Sequence, residues 1–191
     1  MNRWKSFSIC RNKEEQHFSQ IIDRLYLTSA NNITDANLFK YRITHIINAT
    51  RTVPLRRKFR CLRVNILDSA MEQISTHFDM VADFINDGLA CGGSVVIHCI
   101  SGISRSSTLV IAFLMKHRNM SLKDAFDLTR SKRWFIRPNI GFFKQLVEYE
   151  KELFKSNTVR MVWCEASQSH VPDFILEDKS NYKYFYLCVK K

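Results

Sequence analysis

The residues best placed to do chemistry lie in one run, His98-Cys99-Ile100-Ser101-Gly102-Ile103-Ser104-Arg105-Ser106. Residues 94–98 are apolar enough to be a strand buried on both faces, and residues 105–116 read as a helix, so the run is a sharp strand-to-helix loop. The first N–H groups of such a helix point back at the loop and give it positive character. Successive loop amides can curl into a nest around a tetrahedral dianion, and Gly102 supplies the free φ that the curl needs. Arg105 closes the nest with a planar fork matched to two phosphate oxygens, which lysine cannot offer. The same field acts on Cys99: a cysteine so placed can have its pKa lowered from about 8.5 to roughly 3.5–7.5, leaving a nucleophilic thiolate. Ser106 is placed to donate to the sulfur when it leaves in a second step. His98 alternates with Cys99 along a strand, so its ring points away and it reads as an orienting group, not a base. The phosphate-binding loop is therefore Ile100, Ser101, Gly102, Ile103, Ser104 and Arg105.

Transfer of a phosphoryl group to sulfur leaves an alkoxide or phenoxide, and a placed carboxylic acid that protonates it is worth about 10²–10⁴ in rate. Asp68 is the candidate, because it follows a predicted strand over residues 61–67 and the carboxyl ends of parallel strands share one edge. Asp79, Asp83 and Asp87 compete, but their spacing puts them on the polar side of a helix, where a solvated face is the simpler use. Cys99 as a buried small hydrophobe, or as a metal ligand beside His98 and Cys91, is the alternative use of the thiol. The second lacks a further cluster at zinc spacing.

The elements around these residues alternate. Residues 21–27, 43–47 and 61–67 read as strands, with a short helix over 35–41. Residues 75–89 form an amphipathic helix with Phe78, Val81, Ile85 and Leu89 on its buried side. Ser121 to Asp124 is a capping box that opens a helix burying Leu122, Ala125, Phe126 and Thr129. Pro138 ends the next loop, and Phe142, Phe143, Leu146, Val147, Leu153 and Phe154 mark a last amphipathic helix. Beyond Lys155 the periodicity fades, and Tyr182, Tyr184, Phe185 and Tyr186 fit an edge strand or an adhesive tail. The expected fold is α/β, a central, mainly parallel twisted sheet flanked by helices, with a basic flexible tail over 1–18, a catalytic domain over 19–160 and an extension over 161–191.

Lys and Arg number 29 against 18 Asp and Glu, a formal charge of +11 that favours polyanionic partners. The densest basic run, Leu55-Arg56-Arg57-Lys58-Phe59-Arg60, belongs to no nucleic-acid module, so no specific nucleic-acid partner is expected. Six cysteines stand without C-x-x-C pairs, which fits a reducing compartment, cytoplasmic or nuclear. The basic start of the chain weakly resembles a mitochondrial presequence, a lesser alternative to a plain basic tail. The longest apolar run, 109–115, is far short of the roughly 20 residues that span a bilayer, so no integral membrane segment is expected.

The loop, together with Ile22-Asp23-Arg24-Leu25-Tyr26-Leu27, Ile43-Thr44-His45-Ile46-Ile47-Asn48, Ala112-Phe113-Leu114-Met115 and Arg137-Pro138-Asn139-Ile140-Gly141-Phe142, resembles the dual-specificity protein phosphatases. The likeness runs from about residue 19 to about 160, and residues 157–162 are similar to the small atypical branch without a kinase-docking domain. Ser101 departs from the alanine common in the family. The resemblance implies a phosphoric monoester hydrolase that works through phosphocysteine without cofactor or metal. Its substrates would be phosphotyrosine and phosphoserine or phosphothreonine on proteins, kinases of signalling cascades among them. It also makes Val64-Asn65-Ile66-Leu67-Asp68 the general-acid loop. The loop carries no lysines of the kind an inositol-phosphate headgroup calls for. Two other readings remain open at this point: a silent phosphopeptide-binding module, and a phosphatase of non-protein phosphoesters. Oxidation of Cys99, with Cys91 or Cys61 as a disulfide partner, is a further possibility.

Overall fold

In a computed structural model that describes residues 17–177, the chain opens with a hairpin, Phe18–Ile22 (β1) and Leu25–Ser29 (β2). The single strand expected over 21–27 is thus two: Arg24 takes a left-handed φ of 57° and the chain reverses there. A short helix, Asp35–Lys40 (α1), capped by the Thr34 side chain, leads to Ile43–Asn48 (β3). The next strand, Arg60–Arg63 (β4), is shorter than the 61–67 expected. After it the Val64 N–H makes a last bond to Asn48 O of β3 at 3.0 Å, and Val64 and Ile66 turn inward, fully buried, leaving Asp68 exposed at the rim.

A 3₁₀ turn, Ile74–His77, precedes Phe78–Ala90 (α2), and Ser94–Cys99 (β5) follows with every residue buried. Arg105–Arg118 (α3) buries ten consecutive residues from Ser106 to Met115, which makes it the central helix. Leu122–Lys132 (α4) begins at the expected cap, where Ser121 Oγ accepts from the Asp124 N–H at 3.1 Å. Ile140–Phe154 (α5) is capped by Asn139, which accepts from the Phe142 N–H at 3.0 Å.

The sheet order is β1-β2-β5-β3-β4, antiparallel only at the β1–β2 edge. β5 is central, and its alternation serves both faces. Val95, Ile97 and Cys99 join the large core beneath α2 to α5, while Val96 packs on the other side with Phe18, Leu38, Ile43 and Ile46. The four parallel strands β2, β5, β3 and β4 end at one edge, and there the 99–105 loop, the start of α3 and the loop after β4 meet.

The fading periodicity past Lys155 hides real structure. Met161–Cys164 (β6) and Ser169–Pro172 (β7) form a small antiparallel hairpin, and Asp173–Glu177 (α6) follows. Phe174 and Ile175 enter the main core, with the Phe174 ring 5.2 Å from Phe126 and 5.9 Å from Phe143. The first part of the expected extension is therefore built into the domain. Strands of four residues carry too few alternations for periodicity to detect them. The basic tail before residue 17 and the aromatic cluster from Tyr182 lie outside the described residues.

Candidate active site

Each carbonyl of the loop is held from outside. The Ala30 N–H binds Ile100 O at 3.0 Å, and the Arg137 N–H binds Ile103 O at 2.8 Å. Arg133 Nη2 reaches Ser101 O at 3.3 Å while its Nε binds Gly102 O at 2.8 Å. Ser104 O accepts from the Thr108 N–H at 3.0 Å and the Thr108 hydroxyl at 2.8 Å. In a trans peptide the carbonyl and the following N–H point opposite ways, so fixing the carbonyls of 100–104 outward turns the amides of 101–105 to the other side. The nest expected at the sequence level is thus imposed by its surroundings. Gly102 has φ 66°, and a Cβ there would lie 2.5 Å from Thr28 O, an atom of the sheet that cannot move aside.

Two donors face the sulfur: the Gly102 N–H and the Ser106 hydroxyl each lie 3.2 Å from Cys99 Sγ. Cys99 is 1% exposed, at the floor of a cavity of about 460 Å³ that also takes in Asp68, Ser101, Ile103, Ser104 and Arg105. Arg105 Nη1 is tied to Ile66 O at 3.3 Å, but its Nε is buried and has no acceptor among the described residues. A buried donor without a partner costs about 1–3 kcal/mol, and a bound oxyanion is the group that would satisfy it.

Asp68 is bound through one oxygen. Its Oδ1 accepts from the Ser104 hydroxyl at 2.6 Å and from Asn139 Nδ2 at 2.9 Å, and the Asn139 N–H closes the ring on Ser104 Oγ at 3.1 Å. Asn139 so caps α5 with its oxygen and holds Asp68 with its nitrogen. Both of these hydrogen bonds to the carboxyl fall on Oδ1. Gly141 lets α5 come this close, since a Cβ there would fall 1.9 Å from Ala70 O.

His98 stays out of the cavity, as alternation requires, with Nδ1 at the long distance of 3.4 Å from Cys99 O. Burial, opposed by that contact, and the positive Arg63 together push its pKa down to about 4 from 6.5. Between those values the unfolded chain binds a proton that the folded chain refuses, so stability present above pH 6.5 is lost as pH falls toward 4. We expect His98 to remove about 2 kcal/mol between pH 7 and pH 5. Urea midpoints at the two pH values check this, and His98→Gln should show that much less dependence. Ile100 is the other loop residue whose side chain leaves the site, 45% exposed.

Asp79 and Asp83 lie on the polar side of α2 but do more than face water. Both pair with Lys116 of α3, at 2.8 and 2.9 Å, and Asp79 also accepts from the Tyr149 hydroxyl. The hydrogen bonds from Lys116 hold both carboxyls below their ordinary pKa. The sheet holds Cys61 and Cys91 out of disulfide reach of Cys99. Cys61 is in register with Ile46 and hence with Val96, two strands across and three residues back on the opposite face, about 14 Å away where about 7 Å is the limit. Cys91 precedes β5, and the strand's five steps of about 3.3 Å separate it from Cys99.

These features, an anion nest under a buried thiol with an acid at its rim, coincide with the match of residues 25–152 to the dual specificity phosphatase catalytic domain. The chain belongs to the dual specificity phosphatase family. It is 38% identical over 158 residues to human dual specificity protein phosphatase 14, covering 81% of this chain and 79% of that one. To human dual specificity protein phosphatase 18 it is 40% identical over 149 residues, covering 75% and 78%. Among solved structures, a mouse putative dual specificity phosphatase complexed with zinc tungstate superposes with a TM-score of 0.70 at 30% identity, over 78% of this chain and 94% of that one. This dual specificity phosphatase is accordingly a hydrolase of protein phosphoesters.

Sequence reasoning missed Arg133, the residue that does most to shape the phosphatase loop. It is 2% exposed, sits at the end of α4 over the Phe135 ring, and also reaches Ser19 of β1 at 3.2 Å. Burial lowers its pKa to about 10, against the pull of the Cys99 sulfur, so it stays cationic at neutral pH. An arginine closing an amphipathic helix reads as a solvated charge, and no local signal marks it otherwise. Asn139 had a signal, as a helix cap before Ile140, but its second bond to Asp68 had none.

Proposed function

We propose that the phosphatase acts in two steps on phosphotyrosine and on phosphoserine or phosphothreonine of proteins, with Cys99 as nucleophile. Arg105 and the amides of 101–105 hold the equatorial phosphate oxygens. The sulfur lone pair forms the S–P bond as the P–O bond to the leaving oxygen breaks, and the proton on Asp68 Oδ2 passes to that oxygen. In the second step the Asp68 carboxylate takes a proton from water, the water oxygen attacks phosphorus, and the P–S bond breaks toward the Ser106 hydroxyl. Inorganic phosphate departs and the thiolate returns.

The observation that carries this reading is the Nε of Arg105, buried beside Cys99 and without an acceptor among the described residues. The tungstate named with the mouse relative, a tetrahedral oxyanion, supports such a seat. A charge of +11 suits acidic phosphoproteins, kinases of signalling cascades among them, as it suits any polyanion. A thiol nucleophile works in a reducing compartment, cytoplasmic or nuclear.

The test is pre-steady-state. With an aryl phosphate at neutral pH, Ser106→Ala should release one equivalent of phenol in a burst and then turn over at least 10-fold more slowly than the unaltered protein, because only the second step loses its donor. A uniform slowing without a burst would remove Ser106 from the second step.

A further inference from the structure

The cavity over Cys99 extends beyond the nest. Its far wall is made by β6, β7 and α6, through Cys164, Ser167, Ser169, Val171, Ile175 and Leu176. At about 460 Å³ it falls among sites that take a whole small molecule, more than a phosphoryl group can fill. The lining is mixed in kind: Cys99, Arg105 and the loop amides make the anionic seat, and Pro138, Ile140, Val171, Ile175 and Leu176, from outside that loop, add aliphatic carbon.

That wall is rigid where it meets the domain. Phe174 and Ile175 belong to the main core, Lys123 Nζ lies 5.1 Å above the Phe174 ring, and the Asp173 N–H binds Arg160 O at 2.8 Å. Leu176, next in sequence, is 36% exposed and lines the cavity.

We propose that the β6–β7–α6 wall is a substrate subsite for an aliphatic or aromatic side chain flanking the phosphorylated residue of a protein. This rests on Cys99 and Arg105 seating the phosphate. With part of the cavity committed to that group, whatever fills the continuous remainder during turnover is tethered to it, and the tether is peptide. The hairpin thereby sets sequence preference, with Leu176 at its lip.

The test uses phosphopeptides that differ only in Leu or Ser at each of the two positions before and after the phosphoresidue, with p-nitrophenyl phosphate as a substrate that has no flanking residues. The unaltered protein should favour Leu over Ser at one or more positions by about 10-fold in kcat/KM, carried mainly by KM, as burial of a few methylenes in an apolar pocket provides. Leu176→Glu should reduce that preference to 2-fold or less while leaving hydrolysis of p-nitrophenyl phosphate unchanged. Leu176→Ser gives the same comparison if the acid lowers stability, and the small substrate reports folding in each variant. Equal rates on Leu and Ser peptides at all four positions, or full preference retained in both variants, overturn the subsite. Failure of the unaltered protein to hydrolyse p-nitrophenyl phosphate would overturn the catalytic reading instead, so the two failures are distinct.

Discussion

Cys99→Ser is expected to abolish turnover, with kcat falling on the order of 10⁴–10⁶-fold, while the protein still binds phosphate analogues. The reason lies in how the site divides its work. The amides of 101–105 are turned inward by Arg133, Arg137, Ala30 and Thr108, none of which depends on the sulfur. A serine hydroxyl of similar shape leaves the seat and Arg105 in place but is not ionised at neutral pH, so binding persists and the covalent step does not occur. Steady-state assay with p-nitrophenyl phosphate, beside tungstate titration by calorimetry, reads both quantities. Residual turnover above 1% of the unaltered rate would show that another group attacks phosphorus.

Asp68→Asn is expected to lower kcat on phosphothreonine peptides by about 10²–10⁴. The asparagine oxygen can still accept from Ser104 and Asn139, so the ring that places residue 68 survives and the loss reports proton transfer. Leaving groups then separate the effect. An alkoxide must be protonated as it leaves, whereas p-nitrophenolate leaves without a proton, so the variant should retain most activity on p-nitrophenyl phosphate. Equal losses on both substrates would move the acid elsewhere.

The strand-loop-helix carrying Cys99 and Arg105 was legible because its determinants are local: a continuous apolar run, a glycine where φ must be positive, and a helix that begins at the arginine. His98 pointing away from the site followed from alternation alone. The β1–β2 turn was not legible, since Asp23-Arg24 carries no glycine and Arg24 nevertheless takes the left-handed conformation. Asp68 was placed correctly at the shared edge although its strand ends earlier than its apolar pattern, because Val64 and Ile66 are buried past the end of β4.

By itself, then, the sequence determined the candidate groups and the order of the elements that deliver them, because residue type, period and spacing are properties of neighbours along the chain. Tertiary structure decided what turns those groups into a site. It brought Arg133 onto the loop carbonyls from 31 and 32 residues away, joined Asp68 to Asn139 across 71, and set the β6–β7–α6 wall over the cavity. The physical reason is that a buried arginine reads like a solvated one until packing removes its water, and that a carboxylate at the rim has no visible partner until the fold brings a donor to it from a distant element.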